Sequence, residues 1–484
     1  MDTMTYAGLR YTTTHCGSYT SRHPDSLTAI KSHTMTPINR LEEQTLMDPW
    51  MHEAFSASPR GYDFSTMHGW SRSYYTHQGH MDSLLRIKGM ARPHRPNDFS
   101  MSAVDDYTRK YFLSFPKVMS MDFKTDLDQV PFEPSSSAGM TLPGKKGDEG
   151  NLTRAINQAY ATIKDCMRGN LQHQIDESVP DIAYTRTQLT QISKGVKVRN
   201  VFGQAFKYIL LEGLAASPLM DFFCDNDTFF FIGKDPRIHL PYLFEEAKAI
   251  APNLVTIDWS AFDTTVEPWE IETAFDLLEL MLEFPNDESR AAFEFTKIFF
   301  INRKIAAPDG TTYFKEKAVP SGSYYTILID SIINWRRILY MHHRYYGTFP
   351  TRIWTQGDDG LIATQDNVTP EGLGLGLPPR HFWTFNGSKC VSASSASLTP
   401  FLQRRLKWGD QARDVTRVER LAIYPEYEVD DPQISAFRAR ALWEDCNYES
   451  HILAFATAFL EHKYGITDSP PRRFKPYWQI LFRK

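Results

Sequence analysis

The sequence predicts an α+β protein in which short strands and amphipathic helices alternate along the chain. LVTI (254–257) is a short apolar run typical of a buried strand, and an amphipathic helix is predicted to follow it over 269–284. RIWTQ (352–356) and LIAT (361–364) flank a Gly-Asp-Asp-Gly turn, which is the pattern of a β-hairpin. A further helix is predicted to open at Ser321 and to run to about residue 340.

Composition excludes several classes of protein. The chain has 484 residues, of which 42% are hydrophobic and 23% charged, so it is neither disordered nor fibrous. The five cysteines are scattered without a CxxC pair, which argues against a disulfide framework or a zinc ribbon. The start MDTMTYAG lacks the pattern of a signal peptide, and no apolar run is long enough for a membrane span. We therefore expect a soluble intracellular protein.

Charge is unevenly distributed. The net charge of −5 argues at first against a nucleic-acid partner. However, residues 258–294 hold eleven acidic residues and one basic residue, a local charge of −10, which leaves +5 for the rest of the chain. Most of these acids are expected on the outer face of the 269–284 helix, opposite an apolar face that packs in the core. Basic clusters at 194–199 and 404–407 are then available to bind a polyanion.

Two pairs of carboxylates are expected to lie together. Asp258 and Asp263 follow a strand in DWSAFD, and Asp358 and Asp359 occupy the hairpin tip. Carboxylates at the ends of adjacent strands make a cluster of oxygen ligands that suits Mg²⁺. Two such ions would hold an attacking hydroxyl and a leaving phosphate in line. The alternative is that each pair merely caps a strand or solvates a turn.

Other segments, in their order along the chain, favour the chemical interpretation. The sequence resembles the viral RNA-dependent RNA polymerases at seven motifs: PSSSAG (134–139, motif G), KVRNVFG (197–203, F), DWSAFD (258–263, A), SGSYYTILIDS (321–331, B), QGDD (356–359, C), FNGSKC (385–390, D) and FLQRR (401–405, E). Within that family the chain is most similar to the polymerases of partitiviruses of the plant cryptic virus type, with picobirnaviruses as near neighbours. These are double-stranded RNA viruses.

The resemblance implies roles for the acidic residues. Asp258 and Asp358 would be the principal ligands of two Mg²⁺ ions, with Asp359 supporting and Mn²⁺ able to substitute. Asp263 would accept a hydrogen bond from the ribose 2′-OH of the incoming nucleotide, which distinguishes RNA from DNA synthesis. Lys389 would protonate the departing pyrophosphate, or act there only as a positive charge.

The resemblance also implies substrate and RNA contacts. Residues expected at the triphosphate of the nucleotide are Lys197 and Arg199, with Lys194 as a further candidate. Residues expected around its sugar are Ser321, Gly322, Thr326, Asp330 and Asn334. Whether Asp330 or Asn334 senses the ribose is open, and so is a purely structural role for Asn334. Residues expected on RNA are Ser136, Ser137 and Gly139 for the template and Arg404, Arg405 and Lys407 for the product. Arg336, Arg337 and Arg344 are expected only on an exposed helix face.

The implied architecture is a closed right-hand polymerase fold with an antiparallel palm sheet. Its expected divisions are 1–130, bridging fingers and thumb; 131–253, fingers; 254–267, palm; 268–320, a fingers insertion; 321–400, palm; and 401–484, the motif E hairpin and thumb.

The implied function is template-directed transfer of nucleotides from NTPs to an RNA 3′-OH, for transcription and replication of a double-stranded RNA genome. Expected partners are template and product RNA, NTPs and the viral capsid protein, for a monomer without a membrane partner, located in the virion interior and the host cytoplasm. One alternative is a reverse transcriptase-like DNA polymerase, which Asp263 disfavours. Another is a non-catalytic RNA-binding protein with a polymerase fold, disfavoured because all three candidate metal ligands are present.

Overall fold

The computed structural model describes residues 9–34, 40–89 and 95–467. The first residues of the predicted 1–130 region and the end of the predicted 401–484 region lie outside these ranges. The described helices are α1 Pro49–Ser56, α2 His77–Leu85, α3 Phe99–Leu113, α4 Asn151–Cys166, α5 Leu171–Asp176, α6 Phe206–Asp225, α7 Pro236–Ile250, α8 Phe262–Thr265, α9 Pro268–Met281, α10 Asp287–Ile301, α11 Thr326–Tyr346, α12 Pro370–Leu375, α13 Val415–Ile423, α14 Pro432–Asp445 and α15 His451–Tyr464.

The strands form several small sheets. The described strands are β1 Arg10–Thr12, β2 Ser18–Thr20, β3 Leu27–Ser32, β4 Trp70–Ser71, β5 Val118–Met119, β6 Asp181–Thr187, β7 Thr190–Gln191, β8 Val198–Gly203, β9 Asn253–Ile257, β10 Leu282–Glu283, β11 Arg303–Ala306, β12 Thr311–Lys315, β13 Arg352–Gln356, β14 Asp359–Thr364, β15 Ser392–Ala393, β16 Arg405–Lys407 and β17 Asp410–Ala412. Four two-stranded pairs are β1–β2, β4–β7, β5–β10 and β16–β17.

A four-stranded antiparallel sheet in the order β13-β14-β9-β15 carries both predicted carboxylate segments. The strand predicted at 254–257 and the hairpin predicted around Gly-Asp-Asp-Gly are both present. In the register of β9 with β14, Ile257 lies opposite Gly360. The first residue after β9 and the first residue of β14 therefore meet at one edge of the sheet.

A second, five-stranded sheet has the order β3-β12-β11-β6-β8. All its neighbours are antiparallel except β11 and β6, which are parallel. Strand β8 begins within the basic 194–199 segment, and Arg199 on β8 pairs with Arg186 on β6. Two arginines therefore lie side by side at one edge of this sheet.

Helix α11 lies in the largest apolar core, with residues of α3, α9, α10, β9 and β14 around it. The N-terminal region contacts two distant parts of the fold. Met51 and Phe55 of α1 pack with helices α13 to α15, whereas Leu27 of β3 and Leu84 of α2 pack with the five-stranded sheet. Within the described ranges, no helix is long and apolar enough to cross a membrane.

Helix α11 departs from the prediction at two points. It begins at Thr326, because residues 321–325 form a separate turn. In addition, Arg336 and Arg337 are buried, at 6% and 0% exposure, and do not lie on an exposed face. Arg337 pairs with Glu270 of α9, which is also buried although its helix was expected to turn its acids outward. Packing of α9 against α11 explains why Arg337 and Glu270 are buried, since each charge neutralises the other. Arg336 is buried through its ion pair with Asp105 of α3, at 2.6 Å.

Candidate active site

Three carboxylates gather at one edge of the four-stranded sheet. Asp258 directly follows β9, Asp359 opens β14, and Asp358 lies in the turn between β13 and β14. The β9–β14 register, extended by one residue, places Asp258 beside Asp359. Gly357 has a φ of 61°, a left-handed conformation that glycine adopts without steric cost. The local sequence thus makes the tight turn that brings the aspartates together.

Asn334 of α11 holds this turn from below. Its side chain is fully buried and donates hydrogen bonds to the carbonyl oxygens of Gly357 (3.0 Å) and Asp359 (3.1 Å). It also accepts a hydrogen bond from the indole Nε1 of Trp259, at 2.9 Å. The Ser331 hydroxyl, one turn earlier, accepts from the Gly357 amide at 2.8 Å. The amide of Asn334 is therefore committed to the protein backbone and to Trp259.

The three carboxylates perturb one another. Burial, and then the charges of Asp358 and Asp258, raise the pKa of Asp359 to about 7. Burial likewise raises the pKa of Asp258, against the opposing effect of the nearby Lys389 ammonium. A buried oxygen of Asp258, Oδ2, has no hydrogen-bond partner among the described residues. The edge is thus crowded with negative charge that a cation would neutralise.

The donor set fits a hard divalent cation. Carboxylate oxygens are the ligands that Mg²⁺ prefers, and the unpartnered Asp258 oxygen is available to one. As the side chains stand, no group of three or more His, Cys, Asp or Glu within the described parts of the chain is arranged to hold a metal ion. The side chains of Asp258, Asp358 and Asp359 would have to converge when a metal binds.

Asp263 lies in the first turn of α8 and is joined to the turn before α11. The Ser321 hydroxyl donates to its carboxylate at 2.6 Å, and the Val319 amide donates to its carbonyl oxygen at 3.0 Å. Asp330 is buried nearby, and burial together with the charge of Asp263 holds its pKa well above the usual range. One buried oxygen of Asp330 has no hydrogen-bond partner among the described residues. Ser321 and Asp263 are therefore joined by a hydrogen bond, and the charge of Asp263 acts on the buried Asp330.

The turn before α11 fits closely against β8. The Phe202 amide donates to the Ser321 carbonyl oxygen at 2.7 Å. Gly322 has a φ of 113°, and a Cβ at this position would lie 2.7 Å from the Phe202 carbonyl oxygen. Only glycine meets both conditions. The Thr326 hydroxyl donates to the Pro320 carbonyl oxygen at 2.9 Å and so closes the turn.

Cations face the carboxylates from two sides. Lys197 and Arg199 extend from β8 and the residues before it, and Lys389 from the short turn Gly387–Lys389. Burial lowers the pKa of Lys197, and the charges of Lys389, Arg417 and Arg199 lower it further. The positive charge of Arg199 in turn acts on Asp263, Asp330 and Asp359. The predicted triphosphate-binding cations and the predicted carboxylates therefore share one site.

A cavity of about 560 Å³ adjoins this site, and we call it the arginine cavity. Its charged lining is six arginines and two carboxylates: Arg72, Arg186, Arg199, Arg413, Arg417, Arg438, Glu426 and Asp445. Burial and then the charges of neighbouring arginines lower the pKa of Arg417, which makes no ion pair with any described residue. Its Nε donates to the Gln403 side chain at 3.2 Å. An anion would relieve this crowding of positive charge.

A second cavity, of about 580 Å³, lies beside the predicted template loop. Ser136 and Ser137 line it, together with Gly322 of the turn before α11 and with Lys146. The Lys146 ammonium is buried, donates to the Ser136 hydroxyl at 2.6 Å and has its pKa lowered to about 8 by burial. Gly139 lies behind the cavity, where its backbone approaches Ala205 closely.

The sequence profile of the viral RNA-dependent RNA polymerase family matches residues 48–460. The chain belongs to this family. Curated relatives include the genome polyproteins of simian hepatitis A virus genotype V (isolate AGM-27), 26% identical over 189 residues, and of human hepatitis A virus genotype IIIB (isolate HAJ85-1), 27% identical over 189 residues. Each match covers 37% of this chain and 8% of the polyprotein.

The fold of this viral polymerase family member is also found in a solved structure. The insertion-loop deletion mutant of the RNA-dependent RNA polymerase of a human picobirnavirus superposes with a TM-score of 0.60, over 78% of this chain and 74% of that one, at 15% sequence identity. The likeness shows the right-hand polymerase fold. The narrower similarity to partitiviruses stays a prediction.

The three cations predicted to contact product RNA have different surroundings in this polymerase family member. Arg404 pairs with Asp445 at the end of α14, and Lys407 pairs with Glu449 at 3.0 Å. Arg405 is exposed on β16. Of the three predicted product contacts, Arg405 is therefore the most exposed and, among the described residues, the one without an ion pair.

Sequence reasoning missed several residues of the site. Lys146 and Arg417 stand in segments without a distinctive pattern, so nothing in the sequence marked them. Glu212 is different, because a single acid in the apolar run ILLEGLAA of α6 is a signal of a buried, paired carboxylate. Its contacts are described below.

Proposed function

We propose that this chain is an RNA-directed RNA polymerase, which transfers nucleoside monophosphates from NTPs to the 3′-OH of RNA on an RNA template. One observation carries the proposal: Asp258 lies beside Asp359 at a sheet edge, and the Asp263–Ser321 pair lies within the same charged site. This combination would place a metal site next to a carboxylate that can accept a hydrogen bond from the ribose 2′-OH.

Asp258, Asp358 and Asp359 would hold two Mg²⁺ ions, or Mn²⁺ in their place. The ions would neutralise charge on the attacking and leaving oxygens of an in-line displacement. Supporting this assignment, burial and the charges of Asp358 and Asp258 raise the pKa of Asp359 to about 7. A bound cation would favour the ionised carboxylates.

The cations would act on the phosphates. Lys197 and Arg199 would bind the triphosphate, because fixed positive charge stabilises the phosphate oxygens during transfer. Lys389 acts electrostatically on Asp258, and from there it could donate a proton to the departing pyrophosphate. The arginine cavity, which shares Arg199 with the site, would provide a path for triphosphate and pyrophosphate.

Asp263 would accept the hydrogen bond of the ribose 2′-OH, with Ser321 fixing the carboxylate. Asp330 is buried nearby, where burial and the charge of Asp263 hold its pKa well above the usual range, and it would lie beside the sugar. The three committed hydrogen bonds of Asn334 favour a positioning role for that residue. Gly322 and Thr326 would shape the turn that carries Ser321.

RNA would follow the second cavity and the C-terminal hairpin. Ser136, Ser137 and Gly139 would guide the template, with Lys146 as a phosphate contact. Arg405 would contact the product, with Arg404 and Lys407 joining only if they leave their carboxylate partners.

The division into domains is also part of the proposal. Fingers would comprise 131–253 and 268–320, palm 254–267 and 321–400, and thumb 401–484. Three contacts of the N-terminal region support a bridging role for residues 1–130: α1 packs on α13 to α15, β3 is an edge strand of the five-stranded sheet, and α2 packs against that sheet.

The wider biological role rests on the family and on likeness to a picobirnavirus polymerase. We propose that the protein transcribes and replicates a double-stranded RNA genome as a monomer. It would work with the viral capsid protein, in the virion interior and the host cytoplasm.

Nucleotide preference tests the proposed reaction. The purified protein is given a primed RNA template, Mg²⁺, and either NTPs or dNTPs, and product length is measured. We expect extension with NTPs and much less with dNTPs. A preference for dNTPs would support a reverse transcriptase, and the absence of any extension with Mg²⁺ or Mn²⁺ would support a non-catalytic RNA-binding protein.

A further inference from the structure

Glu212 of α6 is a fully buried carboxylate whose two oxygens are both occupied. Oε1 accepts from the Arg303 guanidinium at 2.5 Å. Oε2 accepts from the Gln204 side chain (2.9 Å), the Ser323 hydroxyl (2.8 Å) and the Tyr324 backbone amide (2.8 Å). A buried charge is tolerated only with such partners. One oxygen of Glu212 thus faces an arginine, and the other faces the turn that carries Ser321.

Arg303 of β11 forms ion pairs with two carboxylates, those of Glu212 and Asp181. Its guanidinium is fully buried and also donates to the Asp181 carboxylate at 2.8 Å, to the Gln204 side-chain oxygen Oε1 at 2.7 Å and to the Phe299 backbone carbonyl oxygen at 3.0 Å. Asp181 alone would therefore neutralise this arginine. Neutralising Arg303 therefore does not account for all the contacts of Glu212, because its other oxygen binds Ser323 and Tyr324.

The turn over 321–325 is fastened at three places. The Ser321 carbonyl oxygen accepts from Phe202 on β8, and the Ser321 hydroxyl donates to Asp263. Glu212 holds the next residues, Ser323 and Tyr324, from beneath. Gly322, between these points, has no side chain with which to fix the turn itself. Glu212 is thus the buried residue that binds the middle of this turn.

We propose that Glu212 is a positioning residue that determines how strictly the site selects ribose over deoxyribose. By holding Ser323 and Tyr324 it fixes Ser321, and Ser321 fixes the Asp263 carboxylate that would read the 2′-OH. This inference rests on the proposed polymerase function. A displacement of about 1 Å in a positioning group is enough to cost a reaction about a hundredfold.

Two variants separate the contact with the turn from the rest of the network. In Glu212→Gln, an amide that keeps its oxygen toward Arg303 presents an NH₂ group to the Tyr324 backbone N–H and to Gln204 Nε2, so these two donors lose their acceptor, and the Ser323 hydroxyl stays bonded only if it turns to accept. Ser323→Ala removes the hydroxyl and leaves Glu212 and Arg303 unchanged. Ser323→Thr retains the hydroxyl and is the conservative variant.

Asp48 provides a matched control. It is a fully buried carboxylate that accepts from Arg438, from the Ser435 hydroxyl at 2.7 Å and from the Met51 backbone amide at 3.0 Å. These are the same kinds of donor that Glu212 binds, but they lie in the packing of α1 against α14. Asp48→Asn therefore reproduces the loss of a buried acid without touching the turn.

The measurement is kcat/KM for one NTP and for the dNTP of the same base, on a primed RNA template. In Glu212→Gln and Ser323→Ala we expect kcat/KM for the NTP to fall about tenfold, as loss of a hydrogen bond to a charged group implies. The kcat/KM for the dNTP should change less than about twofold, since a dNTP has no 2′-OH to bond with Asp263. Ser323→Thr should restore NTP selectivity, and Asp48→Asn should leave the ratio unchanged.

The proposal is overturned if Glu212→Gln and Ser323→Ala keep the wild-type ratio, or if both substrates lose efficiency in parallel, as partial unfolding would produce. Should Glu212→Gln fail to fold, Ser323→Ala decides alone. Failure of the polymerase function itself is recognised separately, because the wild-type protein would then extend no RNA or would prefer dNTPs.

Discussion

Asn334 donates a hydrogen bond from its buried side-chain amide to the carbonyl oxygen of Gly357, 3.0 Å away. This bond ties the middle of α11 to the turn that carries Asp358. It also gives Asn334 a structural task, which leaves Asp330 as the candidate for sensing the ribose. The position of the turn that carries Asp358 thus depends on a buried residue of α11.

Replacing Asn334 with Asp should destabilise the fold and reduce activity. A carboxylate of the same shape cannot donate to Gly357 or Asp359, and it adds charge beside a crowded acidic edge. We expect the free energy of unfolding to fall by roughly 2 kcal/mol or more, measured with urea at neutral pH. Asn226→Asp is the control, because exposed Asn226 also donates to a backbone carbonyl, that of Phe222 at 2.8 Å. An equal loss in both variants would contradict the assignment.

Lys146 should make stability depend on pH in the alkaline range. Burial lowers the pKa of Lys146 in the folded chain to about 8, from an ordinary value of 10.5. Between these values the unfolded chain retains the proton that the folded chain releases, so the free energy of unfolding rises with pH. Urea unfolding at about pH 7 and about pH 9.5 should show wild type gaining stability relative to Lys146→Met. A constant difference between the two proteins would show that Lys146 does not titrate in this range.

Arg417 should matter for nucleotide binding and not for stability. It makes no ion pair with a described residue, and the nearby charges of Arg413 and Arg72 already oppose its own. Arg417→Gln should therefore unfold no more easily than wild type, while KM for NTPs rises about tenfold or more. Arg440→Gln, which breaks an ion pair with Glu461 outside the cavity, should lower stability and leave KM unchanged. Unchanged KM in Arg417→Gln would argue against the arginine cavity as a phosphate path.

Arg337 should be essential to the fold. It donates to both oxygens of Glu270, at 2.7 and 2.8 Å, and its guanidinium lies 4.7 Å from the centre of the Phe262 ring. Arg337→Met would leave Glu270 buried and unpaired, at a cost of about 3–5 kcal/mol. Arg344→Met, on the partly exposed end of the same helix, should cost less than about 1 kcal/mol. Chemical denaturation measures the free energy of unfolding of both variants. Similar losses in the two would contradict a buried Arg337–Glu270 ion pair.

The sequence was informative where chemistry depends on neighbours along the chain. The strand before Asp258 and the hairpin around Asp358 were predictable, because a strand and a tight turn each leave a local pattern. Ser321 and Gly322 were expected to open a helix, and they lie instead in a turn that precedes α11. The Arg337–Glu270 pair was not, since its partners are 67 residues apart and meet only when α9 packs on α11. For the same reason, the arginines around Arg417 could be recognised as one cavity only in the folded chain.

The central claim is that the Asp258–Asp358–Asp359 edge is the catalytic centre of an RNA polymerase. Single-nucleotide addition to a primed RNA template, with Mg²⁺, tests it most directly in wild type, Asp358→Asn and Asp366→Asn. Asp366 lies just beyond the other end of the same hairpin, where it accepts a hydrogen bond from Thr348 at 2.6 Å. We predict that Asp358→Asn folds normally and loses at least about 10³-fold in rate, whereas Asp366→Asn stays within about tenfold of wild type. Equal rates for the two variants would contradict the claim.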